Sequence, residues 1–148
     1  MIRLHNEEFL ESNISNFMIP SERVAHVQVG NSLQHALLVL TKSGYTSIPV
    51  LDPYYKLHGL ISTPIIMDSI LGLERIEFEK LEEMKVETVM NKKIPRLNIH
   101  SKMKDSIGLL IDNPFLCVQN EDGYFEGIFT RRAVLKELNK HVWKINKK

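Results

Sequence analysis

An internal repeat constrains this chain more than any other feature. Gly59-Leu60-Ile61-Ser62 recurs as Gly127-Ile128-Phe129-Thr130, an offset of 127 − 59 = 68 residues, and Ile48-Pro49-Val50 has a counterpart at the same offset. Further upstream the offset is 99 − 29 = 70, because Val29 maps to Ile99. Two copies of roughly sixty residues therefore fill most of the chain, as in a tandem duplication of one supersecondary unit.

Each copy predicts the same order of elements. A short apolar strand, residues 24–29 or 96–99, leads to a polar residue that we expect to cap the next helix, Asn31 or Ser101. Apolar residues at helical spacing then indicate an amphipathic helix. A buried strand, a turn and a third strand follow, and the third strand runs straight into a second helix, with Pro64 in its first turn in copy one. The sequence predicts a mixed α/β (α+β) fold of tandem β-α-β-β-α motifs.

The repeat also sets the expected domain boundaries. We expect an N-terminal helix in residues 1–17, with an amphipathic stretch from Glu7 to Phe17, and a first motif in 18–73. A charged linking helix is expected in 74–91, a second motif in 92–143 and a basic tail in 144–148.

Composition excludes several classes of protein. A hydrophobic content of 43% with 25% charged residues is typical of a globular protein, and a net charge of +1 gives no overall field toward nucleic acid or an acidic membrane. No apolar run reaches the length of a signal peptide or a membrane span, so we expect a cytoplasmic protein. The single cysteine, Cys117, is expected to be a buried core thiol.

The sequence shows no pattern typical of catalysis. Its six histidines form no His-x-x-x-His pair, and we find no glycine-rich phosphate loop, nucleophile elbow or Cys/His pair. We therefore expect a protein that is not an enzyme and that needs neither a metal nor a cofactor.

The repeated segments resemble a known family. Gly44-Tyr45-Thr46-Ser47-Ile48-Pro49-Val50, followed by Gly59-Leu60-Ile61-Ser62, is similar to the CBS motif, and the second copy ends in the same way. The resemblance covers about residues 18–140. It implies that two motifs form one pseudo-two-fold module with two clefts, some of which bind adenosine compounds. It further implies that such modules pair into flat homodimers and sense ligands rather than transform them.

The pair Arg131-Arg132, directly after Thr130, adds a more specific expectation. If Thr130 caps the second helix, both cations lie at the positive end of the helix dipole, where an anion would compensate them. A phosphate fits this requirement; solvated arginines, or ion pairs with nearby acidic residues, are the alternative. Copy one has Thr63-Pro64 at these positions, so we expect one ligand per chain.

Together with these arginines, the bare pair of motifs resembles the narrower group of free-standing CBS proteins that bind cyclic di-AMP. The family's ribose-binding pattern has an Asp three residues after the Ser/Thr, whereas this chain has Ile65 and Ala133. Such an Asp would bind vicinal ribose hydroxyls and repel a nearby phosphate. Its absence disfavours AMP or ATP and favours a cyclic dinucleotide.

The adenine is expected at the first strand and at the start of the second. Val27 and Ile48 are equally well explained by core packing, Arg23 by solvent exposure and Tyr45 by covering the helix end. The predicted ligand-binding residues are Arg23, Val24, Ala25, Val27, Tyr45, Thr46, Ser47, Ile48, Pro49, Ile128, Thr130, Arg131 and Arg132.

The leading functional hypothesis is a second-messenger receptor that binds cyclic di-AMP and regulates partner proteins. The resemblance implies partners such as a (p)ppGpp synthetase/hydrolase, engaged when the ligand is absent. The alternatives are an AMP/ATP-sensing CBS module and, with less support, a nucleotide-acting enzyme. We also expect a homodimer, because both second helices carry more apolar residues than one face would bury: Ile65, Ile66, Ile70 and Leu71, and Val134, Leu135, Leu138 and Val142.

Overall fold

The computed structural model describes residues 7–146, with side chains to residue 144. It divides into a contiguous unit, Ala25–Ile94, and a discontinuous unit, Met1–Val24 with Pro95–Lys148. In chain order the elements are β1 (Ile19–Pro20), β2 (Val27–Gln28), α1 (Leu33–Ser43), β3 (Ser47–Leu51), β4 (Leu57–Ser62), α2 (Thr63–Ile70), α3 (Lys80–Glu83), α4 (Val86–Val89), β5 (Arg96–Asn98), α5 (Met103–Leu110), β6 (Phe115–Gln119), β7 (Phe125–Thr130) and α6 (Arg131–Asn146), with 3-10 turns at Ile14–Asn16 and Ser21–Arg23.

The contiguous unit contains a three-stranded sheet in the order β2-β3-β4. β2 is parallel to β3, with Val27 opposite Val50, and β3 is antiparallel to β4, with Ile48 opposite Ile61. β4 alternates buried and more exposed residues, whereas β3 is buried at four successive positions. The sheet and its helices enclose one apolar core.

The discontinuous unit repeats this arrangement and adds a strand. Its sheet has the order β1-β7-β6-β5, in which β5 is parallel to β6 and β6 is antiparallel to β7. β1 lies antiparallel on the outer edge of β7, with Ile19 opposite Ile128 and Pro20 opposite Gly127. The mixed α/β fold and the order of elements predicted from the repeat are confirmed.

The two cores correspond residue by residue. Every member of the core of the discontinuous unit maps onto a core member of the contiguous unit, at the offsets of 70 and 68 found in the sequence and at 72 for the first pair. The pairs are Ile14 and Val86, Val27 and Leu97, Leu33 and Met103, Leu40 and Leu110, Ile48 and Leu116, Val50 and Val118, and Ile61 and Phe129.

The segment that precedes each copy completes the unit of the other copy. Ile14 donates its N–H to Ser101 O at 3.1 Å, and its counterpart Val86 donates to Asn31 O at 2.8 Å. The exchanged segments then run past a glycine in the outer strand. A Cβ on Gly127 would lie 2.2 Å from Ile19 O, and one on Gly59 would lie 2.5 Å from Asn91 O. The compact units therefore differ from the sequence repeats 18–73 and 92–143.

Several local predictions differ from the structure. The first strand of copy one covers only Val27–Gln28, because the chain turns through a 3-10 helix at Ser21–Arg23 before it joins the sheet. The linking segment 74–91 is not one helix but two short ones, α3 and α4, and the N-terminal segment is helical at 7–10 before its 3-10 turn. Residues 1–6 and most of the 144–148 tail lie outside the described residues.

The helix caps lie one residue later than predicted. The Ser32 hydroxyl accepts the His35 N–H at 3.1 Å, and Lys102 is the residue before α5, where its own N–H donates to the Asp105 carboxylate at 2.8 Å. Asn31 accepts instead from the Gln28 N–H at 2.8 Å, and Ser101 from the Asn98 N–H at 3.0 Å. The predicted cap residues thus close the turn between strand and helix. An Asn or Ser side chain can cap a helix or close the turn before it, because both roles need only a short polar side chain that accepts a hydrogen bond.

Two other predictions concern apolar residues. Cys117 is buried, as predicted, and burial raises the pKa of its thiol to about 12. Of the four apolar residues that predicted a surplus on α2, Ile66 and Ile70 are buried in the unit itself and Ile65 is half-buried, whereas Leu71, directly after the helix, is 55% exposed. On α6, Leu135, Leu138 and Val142 form an exposed apolar stripe.

Candidate functional site

The junction between β7 and α6 has the helix cap that the sequence predicted. The Thr130 hydroxyl accepts the Ala133 N–H at 3.0 Å, so Thr130 is the N-cap of α6. The Arg131 N–H is taken by Pro114 O at 2.9 Å. The remaining donor of the first turn, the Arg132 N–H, bonds to no group within residues 7–146. One N–H and the hydroxyl proton of the cap are therefore open to an anion.

The equivalent junction between β4 and α2 lacks this opening. The Ser62 hydroxyl accepts the Ile65 N–H at 3.3 Å, and the Thr63 N–H bonds to Thr46 O at 3.0 Å. The position that matches Arg132 is Pro64, which has no N–H to donate. The first turn of α2 therefore offers no free backbone N–H to an anion.

Arg131 has a structural role that the sequence analysis did not predict. Its Nε donates to Leu110 O at 2.9 Å, and one terminal nitrogen donates to Ile111 O at 3.3 Å. These carbonyls lie at the end of α5, where the last C=O groups of a helix lack intrahelical partners. In copy one, α1 ends instead at Gly44, which adopts φ 79° and donates to Leu40 O. Arg131 thus does with its side chain what Gly44 does with its backbone.

Arg132 and Arg23 have exposed side chains, and neither forms a hydrogen bond or an ion pair within the part of the chain that the structure describes. Arg132 extends from the open first turn of α6. Arg23 ends the 3-10 turn after β1, and β1 runs toward the start of β7, away from Thr130. No hydrogen bond joins Arg23 to the Thr130–Arg132 group within residues 7–146.

In the contiguous unit, Ala25 lies between the 3-10 turn and β2, outside the sheet. It is half-buried, and its backbone groups bond to no other described residue, so they are able to read a base edge. Tyr45 and Thr46 are exposed in the turn before β3, and Ser47 is half-buried. The backbone carbonyl of Thr46 accepts the Thr63 N–H at 3.0 Å.

The other predicted site residues have side chains in the interior. Val27 and Ile48 belong to the core of the contiguous unit, so the core-packing alternative describes their side chains. Because these side chains are buried, only the backbone atoms of these residues are left for a ligand. The buried residues are Val24, Val27, Ile48, Pro49 and Ile128.

The residues at the family's Asp position also face the core. Ile65 packs against the core of the contiguous unit, and Ala133 against that of the discontinuous unit. Neither could accept a hydrogen bond from a ribose. Among residues 7–146 there is also no group of three or more His, Cys, Asp or Glu placed to hold a metal ion, and none of the helices there has the length and apolar character needed to span a bilayer.

A family model of the CBS domain matches residues 14–72. Across 147 residues, 99% of this chain and 100% of the relative, the sequence is 60% identical to Cyclic di-AMP receptor B of Bacillus subtilis (strain 168). The chain belongs to the CBS domain family. The resemblance noted in the sequence is thereby confirmed.

Two solved structures of CBS proteins are similar to this one. A CBS domain-containing protein of unknown function from Bacillus anthracis is 64% identical with a TM-score of 0.85, covering 91% of this chain and 98% of that chain. The CbpB protein of Listeria monocytogenes, crystallised in complex with c-di-AMP, is 54% identical with a TM-score of 0.83, covering 88% of this chain and 98% of that chain.

Proposed function

We propose that this CBS protein is a receptor for cyclic di-AMP. The observation that carries the proposal is the first turn of α6, where the cap hydroxyl of Thr130 is followed two residues later by Arg132, which has an open N–H and an exposed guanidinium. The relatives named for cyclic di-AMP, at 60% and 54% identity, support the same ligand.

The chemistry of phosphate binding follows from these groups. The helix dipole and the Arg132 N–H favour a negative charge at this end of α6, and the Thr130 O–H can donate to a phosphate oxygen while its oxygen keeps the Ala133 N–H. The Arg132 guanidinium adds a charge-assisted hydrogen bond. Arg131 contributes by fixing the turn, because its guanidinium is held on the α5 carbonyls.

The missing carboxylate favours cyclic di-AMP over AMP or ATP. A 3′,5′-cyclic dinucleotide has its 3′-oxygen esterified, so it does not need an acceptor for two vicinal hydroxyls. Ala133 offers no acceptor and no negative charge near the phosphate, which suits the cyclic ligand. For the adenine, the proposed contacts are the backbone of Ala25 and the exposed side chains of Tyr45 and Thr46.

The proposed role is regulatory, and the protein is expected to be cytoplasmic. Ligand occupancy would control the binding of protein partners, among them a (p)ppGpp synthetase/hydrolase engaged by the free receptor. Purified protein should not turn over adenine nucleotides with or without divalent metal. Hydrolysis that survives repurification and disappears in an Arg132 variant would contradict the receptor proposal.

Isothermal titration calorimetry tests the ligand directly. Cyclic di-AMP, cyclic di-GMP, AMP and ATP are titrated into the full chain, and only cyclic di-AMP should bind tightly, with one ligand per chain. Tight binding of AMP or ATP with no cyclic di-AMP response would replace this proposal with the AMP/ATP-sensing alternative.

The receptor is further proposed to be a homodimer that pairs through α6. Leu135, Leu138 and Val142 are exposed and spaced by three and four residues, the pattern of a helix-helix seam. Light scattering at micromolar concentration should give twice the mass of the chain. Leu138→Glu should lower that mass, and a wild-type protein that is monomeric would disprove the dimer.

A further inference from the structure

A cluster of exposed apolar side chains lies between α2 and α3, far in sequence from the proposed ligand-binding residues. Leu73 is fully exposed, Phe78 is 61% exposed and Leu71 is 55% exposed, with Ile76 beside them. These four large apolar side chains lie within eight residues of sequence, and exposed apolar surface of this density commonly marks an interaction site.

The segment that carries these side chains is closely hydrogen-bonded. The Gly72 N–H donates to Arg75 O at 2.8 Å, the Glu77 N–H donates to Ile70 O at 2.6 Å, and Leu71 and Ile76 form an antiparallel bridge. A Cβ on Gly72 would lie 2.9 Å from Arg75 O, so the turn closes too tightly for another residue. A partner would therefore meet an ordered surface and lose little entropy by ordering it.

The same surface is acidic. Residues 71–83 contain five Glu and two basic residues, a net charge of 2 − 5 = −3, whereas the whole chain has +1. Arg75 pairs with Glu79 and Lys80 with Glu77, and the Arg75 hydrogen bond lowers the pKa of Glu79 to about 2. The three remaining carboxylates are exposed and form no ion pair within residues 7–146: Glu74, Glu82 and Glu83.

We propose that residues 71–83, here called the 71–83 surface, bind a basic amphipathic helix of a partner protein. A shallow groove lined by Leu73, Glu74, Arg75 and Glu77 offers an apolar side chain next to acidic ones. A helix with apolar residues on one face and Lys or Arg beside them complements both features. A strand is a poorer match, because the N–H groups of Gly72 and Glu77 are bonded inside the loop.

The surface is also coupled to the core of the contiguous unit. Leu81 and Met84 pack against that core, and the Leu33 N–H at the start of α1 donates to Met84 O at 3.0 Å. The 71–83 surface is therefore anchored to the core by packing and by a backbone hydrogen bond. The inference extends the proposed receptor function by naming the kind of partner segment, but its test needs no cyclic di-AMP.

The test uses the full chain and an 18-residue fluorescent peptide of leucine and lysine arranged as an amphipathic helix. A second peptide has glutamate in place of every lysine. Fluorescence anisotropy should show binding of the basic peptide at least tenfold tighter than that of the acidic one. Leu73→Ser/Phe78→Ser and Glu82→Lys/Glu83→Lys should each weaken binding of the basic peptide at least tenfold, and amide hydrogen exchange should slow within residues 71–83.

The matched control is Leu38→Ser. Leu38 is a leucine of the same unit with an exposed side chain (55%), but it lies on α1, outside the 71–83 surface. This variant should leave peptide binding unchanged. Equal binding by the Leu73→Ser/Phe78→Ser variant, or by the acidic peptide, would overturn the proposal. So would a lower oligomeric mass of that variant without a change in peptide affinity, since a second copy would then be the occupant.

Cyclic di-AMP titrations separate this inference from the proposed function. The Leu73→Ser/Phe78→Ser variant should bind cyclic di-AMP like the wild type, and its thermal melting should be unchanged because both side chains are exposed. Loss of cyclic di-AMP binding in this variant would assign the surface to the ligand site and overturn the docking proposal. If the wild type does not bind cyclic di-AMP but binds the basic peptide, only the proposed receptor function is contradicted.

Discussion

The two strand-helix junctions differ in chemistry although the units around them are built alike. At the β4-α2 junction, Thr63 and Ile65 place their N–H groups on protein acceptors and Pro64 has none. At the β7-α6 junction the middle donor is open and belongs to Arg132. A duplicated scaffold has thus kept its core in both copies while only one junction has the groups for an anion.

The comparison shows that two junctions of a repeat protein can share the same secondary structure and the same kind of cap and still differ in their free N–H groups. Both junctions have a Ser/Thr cap and a strand that runs directly into a helix. The difference in free N–H groups and in nearby cations comes from two consecutive residues, Thr63-Pro64 against Arg131-Arg132. One of these arginines supports the turn and the other is available to a ligand.

The largest effect is expected where the two units are most alike, at the glycines of their outer strands. Gly127→Ala should lower the free energy of unfolding by about 3 kcal/mol, because the new Cβ would lie 2.2 Å from Ile19 O and would force β1 away from β7. Urea denaturation measures this change. Gly108→Ala is the control, since nothing lies within 4 Å of its Cβ and alanine suits its helix; it should raise stability by about 0.5–1 kcal/mol. An unchanged stability of Gly127→Ala would mean that β1 does not depend on this close approach.

Arg132→Met sharpens the comparison of the junctions. It should weaken cyclic di-AMP binding roughly tenfold to a hundredfold, as expected for the loss of a charged hydrogen bond of about 1.5–3 kcal/mol. Thermal stability without ligand should not fall, because a cation leaves the positive end of a helix. Thr63→Ala, in the closed junction, should leave the calorimetric affinity nearly unchanged. If both variants lose affinity equally, the assignment to one junction is wrong.

Arg131→Met should act mainly on stability. Its guanidinium bonds to two carbonyls at the end of α5, so its loss should lower the free energy of unfolding by about 1–2 kcal/mol. Chemical denaturation of the Arg131→Met and Arg132→Met variants side by side measures the contrast. A stability loss in Arg132→Met alone would reverse the roles given to the two arginines.

The smallest effect is expected at the turns before the third strands. Asp52 Oδ1 accepts the N–H groups of Tyr54 and Lys56, and Asn120 makes the equivalent pair of bonds in copy two. A hydrogen bond from the His58 ring, followed by those from the backbone, lowers the pKa of Asp52. Asp52 therefore adds stability above its unfolded-state pKa of about 3.9, and this contribution is lost as the pH falls through its lower folded-state value.

Asp52→Asn should keep the turn, as Asn120 does, but remove this dependence. Thermal melting from pH 6 down to pH 2 should fall slightly less steeply in the variant than in the wild type. The reciprocal change, Asn120→Asp, is the matched control, since position 126 offers Glu126 rather than a histidine. Identical acid profiles of the wild type and Asp52→Asn would show that the bond from His58 adds nothing measurable.

The sequence was most informative where local pattern and repeat agree. The order of elements and the fold followed from periodicity and from offsets that the paired core residues reproduce. The caps shifted by one residue because Asn31 and Ser32 are both good acceptors, and only the backbone path decides between them. The structural role of Arg131 could not be predicted from the sequence, because it depends on hydrogen bonds to carbonyls about twenty residues earlier. The exchange of leading segments could not be predicted either, because it also depends on contacts between residues far apart in sequence.

The exchange of leading segments sets the order in which parts of the chain can fold during synthesis. Residues 25–94 are contiguous, so they can fold as soon as they leave the ribosome. The segment that ends at Pro20 has to wait for β7, which ends at Thr130, a delay of 130 − 20 = 110 residues. At about 5–20 residues per second this is roughly 5–20 s during which Ile14, later fully buried, is exposed on a nascent chain. Residues 14–20 are therefore made before residues 25–94 but dock after them.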